Sequence, residues 1–228
     1  MSSLNEPLQN LFTSSSLLIL NFDEIPPNTP SEYSIQKYFQ DCETSGIDPR
    51  TPENRQKFND ALLVKSGMRY LVSRYGEDRI STLKGSQIAK EGRTIHLGVD
   101  IFCKNLEIVY APCDGEIIRI GQELQSHSFG YYAILKPDNP HIPYIFLGHL
   151  SSKMLRTGRV KAREPIATIG DYKDNENGGW SRHLHIQMLT NLPLNNQTLL
   201  GYSTTASFST LSQKYPNPMD YFSAWQIN

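Results

Sequence analysis

The spacing of apolar residues along the chain changes character once, near residue 67. Before that point apolar side chains recur at helical intervals. Ser31 to about Cys42 reads as a short helix, capped at Ser31, with Tyr33, Ile35, Tyr38 and Phe39 as its apolar positions. A second helix is predicted from Pro52 to about Ser66. Thr51 caps it, Pro52 takes its first position, Phe58, Ala61, Leu62 and Val64 form its buried side, and Gly67 stops it. The first 30 residues are polar and end in Pro26-Pro27-Asn28-Thr29-Pro30, a stiff loop.

From Met68 onward the period moves toward two. Tyr70-Leu71-Val72 and Tyr75-Gly76-Glu77-Asp78-Arg79 lead through a polar loop into the extended run Thr94 to Phe102. Short strands then follow at Ile108–Tyr110, Gly115–Ile120, Tyr131–Leu135, Pro143–Leu147, Pro165–Ile169 and His183–Met188, with Gly, Pro, Asn or Asp in the gaps. Many short strands with little helix between them predict a mainly β fold, an antiparallel β-sheet or sandwich core behind an N-terminal helical extension. After Asn191 the chain is rich in Asn, Ser, Thr and Pro. That stretch reads as an irregular tail anchored by Tyr221, Phe222 and Trp225.

Composition narrows the function classes. With 38% hydrophobic and 20% charged residues the chain suits a globular protein. A formal net charge of -1 and the lack of a basic stripe argue against nucleic acid as a partner. The best candidate for a membrane span, Leu17 to Leu20, is far below the roughly 20 residues required. It also lacks a basic start and a cleavage site, so a cytoplasmic protein is expected, with export by an unrecognised route as the alternative. Three cysteines without a CxxC pair, Cys42, Cys103 and Cys113, disfavour both a disulfide framework and a thiolate metal site. Charge is uneven: residues 1–50 carry seven acids against two bases, residues 51–95 five against nine.

The chemistry concentrates in histidines. In His183-Leu184-His185 the two imidazoles leave a strand on one face, because side chains at i and i+2 point the same way. In His96-Leu97-Gly98-Val99-Asp100 the even separation brings imidazole and carboxylate to one face as well. His149 stands at the end of the apolar run Phe146-Leu147-Gly148-His149-Leu150. Each feature alone has an ordinary structural explanation; their joint occurrence in one β-rich stretch is poorly explained that way. Two imidazoles and a carboxylate make a three-ligand zinc site with an open position, and Fe²⁺ accepts the same donor types. Two further histidines can then handle protons.

In this order, His96-Leu97-Gly98-Val99-Asp100, Ala111-Pro112-Cys113-Asp114-Gly115, Gly148-His149-Leu150 and His183-Leu184-His185 resemble the M23 family of zinc metallopeptidases, the lysostaphin-like or LytM-like enzymes that cut peptidoglycan peptides. The likeness runs from Thr94 to Met188. It implies an antiparallel β-sheet core with a groove, Zn²⁺ on His96, Asp100 and His185, and catalytic roles for His149 and His183 as general base or oxyanion stabiliser. Cys113 replaces a small residue of the family pattern and reads as a turn thiol. The loop Asp174 to Trp180 is similar to that of M23-like domains fused to aminotransferases in intracellular proteins.

The expected organisation is therefore a helical extension, residues 1–66, and an M23-like metallopeptidase domain, residues 67–228. The expected partner is a peptide, peptidoglycan-like or Gly-rich. A non-catalytic or regulatory zinc-binding module of the same fold is the alternative. A biotinyl or lipoyl carrier is disfavoured, since no lysine sits at a suitable hairpin tip. Tyr70, Tyr75 and Arg79, just ahead of the metal motif, line a cleft or pack the extension on the sheet.

Overall fold

A computed structural model describes residues 17–19, 35–123, 125–193 and 199–221. The expected loop at Pro26 to Pro30, the cap at Ser31, and Tyr33, Phe222 and Trp225 lie outside the described residues. Two helices come first, α1 (Ile35–Thr44) and α2 (Pro52–Ser66), after a short strand β1 (Leu17–Ile19). The β region then runs β2 (Tyr70–Val72), β3 (Ile95–His96), β4 (Val99–Phe102), β5 (Ile108–Tyr110), β6 (Gly115–Glu123) and β7 (Gly130–Pro137). It continues with β8 (Tyr144–Leu150), β9 (Gly158–Val160), β10 (Pro165–Thr168), β11 (His183–Leu189) and β12 (Tyr202–Ser203). Two one-turn helices, α3 (Ile80–Leu83) and α4 (Gln87–Lys90), interrupt the stretch before β3, and α5 (Thr205–Lys214) follows β12.

Helix α2 obeys its predicted boundaries. The Thr51 hydroxyl accepts from the Asn54 amide, Pro52 occupies the first turn, and Gly67 closes the helix at φ 68°, a left-handed conformation that glycine adopts without steric cost. Its buried side is not the one expected. Phe58 and Leu62 are buried, but Ala61 is exposed and Val64 is 69% exposed, while Arg55, Gln56, Asn59 and Leu63 turn inward. The reason is polar docking. Gln56 donates to the Cys103 carbonyl and accepts from the Arg182 amide, and Asn59 donates to the Ser181 hydroxyl. An apolar periodicity does not register such a face.

Eight strands form one sheet in the order β1-β2-β4-β11-β8-β7-β6-β9, antiparallel except for the β1–β2 pair. Two-stranded pairs β5–β10 and β3–β12 stand beside it. The expected β core is thus a broad sheet with small flanking pairs rather than two sheets of equal size. Alternation assigns its two faces. Ile101, Ile145, Leu147, Leu184, Ile186 and Met188 point to one side and join Val109, Ile166 and Ala167 of the β5–β10 pair in the main core. The opposite side carries a smaller apolar cluster at each end: α1, α2, Leu71 and Phe102 at one, Phe129, Ile134, Phe146, Leu189 and Leu199 at the other. The polar site lies between them.

The tail expectation needs correction. Residues 202–214 form β12 and α5, and the helix starts in a capping box in which Thr204 and Ser207 satisfy each other's backbone amides. Its serines and threonines read as loop because they are weak helix formers, yet they are what caps it. Tyr221 does pack against the main core. None of the three cysteines is in a disulfide; Cys103 is buried, and burial pushes the Cys113 thiol up to about 12, as suits a turn thiol.

Candidate metal centre and groove

Pairing register brings the motif residues together. On β11, His185 lies opposite Asp100 of β4 on one side and Gly148 of β8 on the other, and His183 lies opposite Phe102. His96 arrives from β3, which pairs with β12 at Tyr202. Gly98 makes the approach feasible: a Cβ there would sit 2.4 Å from Cε1 of His185.

His149 reaches the site by an irregularity. Plain alternation from Ile145 and Leu147 would send residue 149 into the core and residue 150 toward the site. Instead Leu150 is in the core and His149 faces the site. The β7–β8 register steps from Ala133↔Leu147 to Tyr131↔Leu150, which inserts one extra residue into β8, and His149 adopts φ 60°. A bulge with a left-handed non-glycine residue is a costly local choice of the kind found where a side chain must be re-aimed.

Three atoms converge. Nδ1 of His185 is 2.9 Å from Oδ1 of Asp100 and 3.2 Å from Nε2 of His96, and the last two are 3.5 Å apart. Outer contacts show what these atoms carry. Gln187 donates its amide N–H to the Leu200 carbonyl, so its Oε1, 3.0 Å from Nε2 of His185, faces the ring as an acceptor. The His185 proton is therefore on Nε2, and Nδ1 turns a lone pair toward the carboxylate oxygen. The His185 nitrogen and the Asp100 oxygen are two acceptors 2.9 Å apart, and they repel unless a proton from Nε2 of His96 or a metal cation lies among them. Nitrogen donors about 2.0–2.1 Å from a tetrahedral zinc stand roughly 3.3 Å from each other, close to the observed edges. Among the described residues, His96, Asp100 and His185 are the group of ligand atoms so placed, all three buried. The residues present fit the metal.

His149 and His183 stand beside them with ring centroids 4.2 Å apart. Nδ1 of His149 is 2.8 Å from the Asn177 carbonyl, and Nδ1 of His183 is 2.6 Å from the Ser181 carbonyl. A carbonyl only accepts, so both rings hold their proton on Nδ1 and present a bare Nε2. Burial first, then the neighbouring imidazoles, holds His149 well below the ordinary imidazole range, and burial brings His183 down to about 4. His96 is held well below it by burial and the Arg79 charge. These rings are neutral at neutral pH, as ligands and proton acceptors must be. Burial works against the Asp100 carboxylate, but His96, Arg79 and His183 around it keep it well below its usual range.

The site opens into a groove of about 270 Å³. Trp180, His127, Phe129, Tyr202, Arg50 and Arg93 are among the residues that line it. The loop before β11 is built on Asn177, whose side chain accepts from the Gly179 and Trp180 amides and donates to the Gly170 and Trp180 carbonyls. The same residue's carbonyl holds His149, so this loop orients a site histidine as well as walling the groove.

The family model described as peptidase family M23 matches residues 94–197. The match spans a little under half of the chain, and over those residues the chain is similar to that family. No curated protein matches the chain. Solved structures with similarity include the catalytic domain of a point mutant of the prophage-encoded M23 protein EnpA from Enterococcus faecalis, 15% identical, covering 48% of this chain and 75% of that one at a TM-score of 0.37. The catalytic domain of lysostaphin from Staphylococcus simulans is 24% identical, with 51% and 80% covered and a TM-score of 0.38. A zinc-containing peptidase from Vibrio cholerae is 22% identical, with 47% and 31% covered and a TM-score of 0.36.

All five site residues expected from the sequence lie within the M23 segment, and the structure brings all five together. Other contributors come from outside it: Arg79, which pairs with Asp100; Gln56 and Asn59, which hold Ser181 and Arg182 ahead of His183; and Tyr202, beside the His96 ring. Of the three residues noted ahead of the motif, Arg79 lines the groove, Tyr70 is in the main core, and Tyr75 bonds the Tyr215 carbonyl. The polarity of Gln56 and Asn59 beside Phe58, Leu62 and Leu63 was the signal that could have revealed their bracing role. No helix among the described residues is long and apolar enough to cross a membrane.

Proposed function

We propose that this chain is a zinc-dependent metallopeptidase that hydrolyses amide bonds in peptidoglycan-like or Gly-rich peptides. The observation that carries the reading is the convergence of Nδ1 of His185, Nε2 of His96 and Oδ1 of Asp100, with two neutral imidazoles presenting bare nitrogens beside it. Zinc bound by those three atoms would polarise the scissile carbonyl and bring the pKa of a water to around 7.

The chain's own residues do the rest. Nε2 of His183 lies 3.8 Å from Oδ1 of Asp100, so the carboxylate steadies the imidazolium formed when His183 takes a proton from the attacking water. His183 then returns that proton to the leaving amine, while His149, pinned by Asn177, presents its bare Nε2 as a second acceptor that orients the attacking water. Burial of both rings excludes bulk water from the exchange. Residues 67–228 form the working domain in this reading, and α2 of the extension braces it.

The test is hydrolysis of oligoglycine and peptidoglycan stem-peptide substrates, followed by mass spectrometry. The wild type should cut one of them and lose activity to a chelator, with His183→Ala more impaired in kcat than His149→Ala. No cleavage of any of these peptides by zinc-loaded wild type would contradict the proposal.

A further inference from the structure

Arg79 lies outside the matched segment, yet it reaches the centre and touches a metal-site carboxylate. It sits at the end of the loop after β2, and its amide donates to the Thr94 carbonyl, so its backbone is tied to the chain just ahead of β3 and His96. The guanidinium is 6% exposed and faces the carboxylates of Glu77 and Asp100, which are as deeply buried. Nη1 donates to Oδ2 of Asp100 at 2.6 Å, and Nε donates to Oε1 of Glu77 at 2.7 Å. Glu77 is held in turn by the Arg74 amide.

The choice of oxygen matters. Asp100 meets the two imidazole donors through Oδ1, and Arg79 takes the other oxygen, Oδ2. A carboxylate with both oxygens open can bind a metal through either or both; one with Oδ2 in a charge-assisted bond has a single donor left. Nη2 also lies 3.2 Å from Nδ1 of His96. With a metal on Nε2 that nitrogen carries the ring proton, so two donors face each other and this contact opposes binding. The 2.6 Å bond to Asp100 is shorter and charge-assisted, roughly twice as strong as a neutral one, and it decides the balance.

We propose that Arg79 is a positioning residue of the metal centre, which confines Asp100 to one-oxygen ligation and so keeps a coordination position open. This rests on the metallopeptidase reading above and goes beyond its ligand set.

The experiment uses the full chain loaded with Co²⁺ for visible spectroscopy and with Zn²⁺ for competition against a chromogenic chelator. Wild type should show the intense visible bands of four-coordinate cobalt. Arg79→Gln should show the weaker bands of higher coordination and bind Zn²⁺ about 10–100-fold less tightly, the usual loss when an outer partner of a metal ligand is removed. Arg79→Lys restores the charge but not the fork, and should recover part of the affinity. Glu77→Gln, which loosens Arg79 without removing it, should move both readouts the same way by less, and it serves if Arg79→Gln does not fold. Folded variants with the wild-type cobalt spectrum and Zn²⁺ affinity would overturn the inference. Wild type that takes up neither ion overturns the metallopeptidase reading itself, and this inference with it.

Discussion

The two faces of β11 differ in what their burial achieves. Leu184, Ile186 and Met188 point into the main core and are at most 1% exposed. His183, His185 and Gln187 alternate with them, point the other way and are at most 4% exposed. One face is buried among hydrocarbon and contributes stability, on the order of 25 cal/mol for each Å² of apolar surface removed from water. The other face is buried among polar groups, each of which needs a partner to offset its desolvation. Nearly every such partner is identifiable: Gln187 for His185, Ser181 for His183, Asn177 for His149, Arg79 for Asp100. What is left over is two ring nitrogens and a carboxylate oxygen converging on one point. The difference teaches that an equally buried strand can hold a fold together on one side and keep reactivity in place on the other.

Substitutions can break that division. The largest effect is expected for Asp100→Ala, which removes a metal ligand and leaves the Arg79 charge with one carboxylate fewer. Metal content should fall to background and peptide hydrolysis should disappear; retained stoichiometric metal would count against the ligand set. His149→Ala should keep its metal and its fold while kcat drops by about 10²–10⁴-fold, the usual contribution of a positioned proton donor or acceptor. Elemental analysis of the same sample shows whether the two losses separate. On the opposite face, Ile186→Ala should cost about 2–5 kcal/mol in urea unfolding without changing metal stoichiometry in the folded fraction. A loss of metal with little loss of stability would mean that the faces are not separable.

A smaller effect sharpens the contrast through pH. In the folded, metal-free chain His183 titrates at about 4 against an ordinary 6.5, and His96 and His149 are displaced the same way. As pH falls from 6.5, the unfolded chain takes up protons on these rings before the folded chain does. Stability therefore declines between about pH 6.5 and 4. Asp100, held well below its ordinary 3.8, adds a further loss only at lower pH. Urea midpoints at about pH 7 and about pH 5 check this, and His183→Gln should flatten part of the decline. An unchanged midpoint would show that the rings are not buried as neutral species.

The sequence carried the alternating face of β11 and the His96-to-Asp100 spacing because both are local: period two places the side chains whatever the sheet order. It carried α2 for the same reason, through Thr51, Pro52 and Gly67. His149 was visible as a histidine at a strand end, but not the extra residue that turns it around, since a bulge is defined by the partner strand β7. Arg79 and Tyr202 reach the centre through long-range pairing, from the Asp78–Ile95 bridge and the β3–β12 pair, and no spacing along the chain encodes that. The inward face of α2 escaped because it docks through the side-chain amides of Gln56 and Asn59. The α5 helix escaped because its caps and its interior share the same hydroxyl residues.

The central claim is that His96, Asp100 and His185 hold one metal ion. Elemental analysis of the purified full chain, beside His185→Ala prepared in parallel, tests it most directly. The account predicts about one zinc per wild-type chain and none in the variant. Wild-type protein that stays metal-free after incubation with zinc, or a variant that retains the full amount, would contradict it.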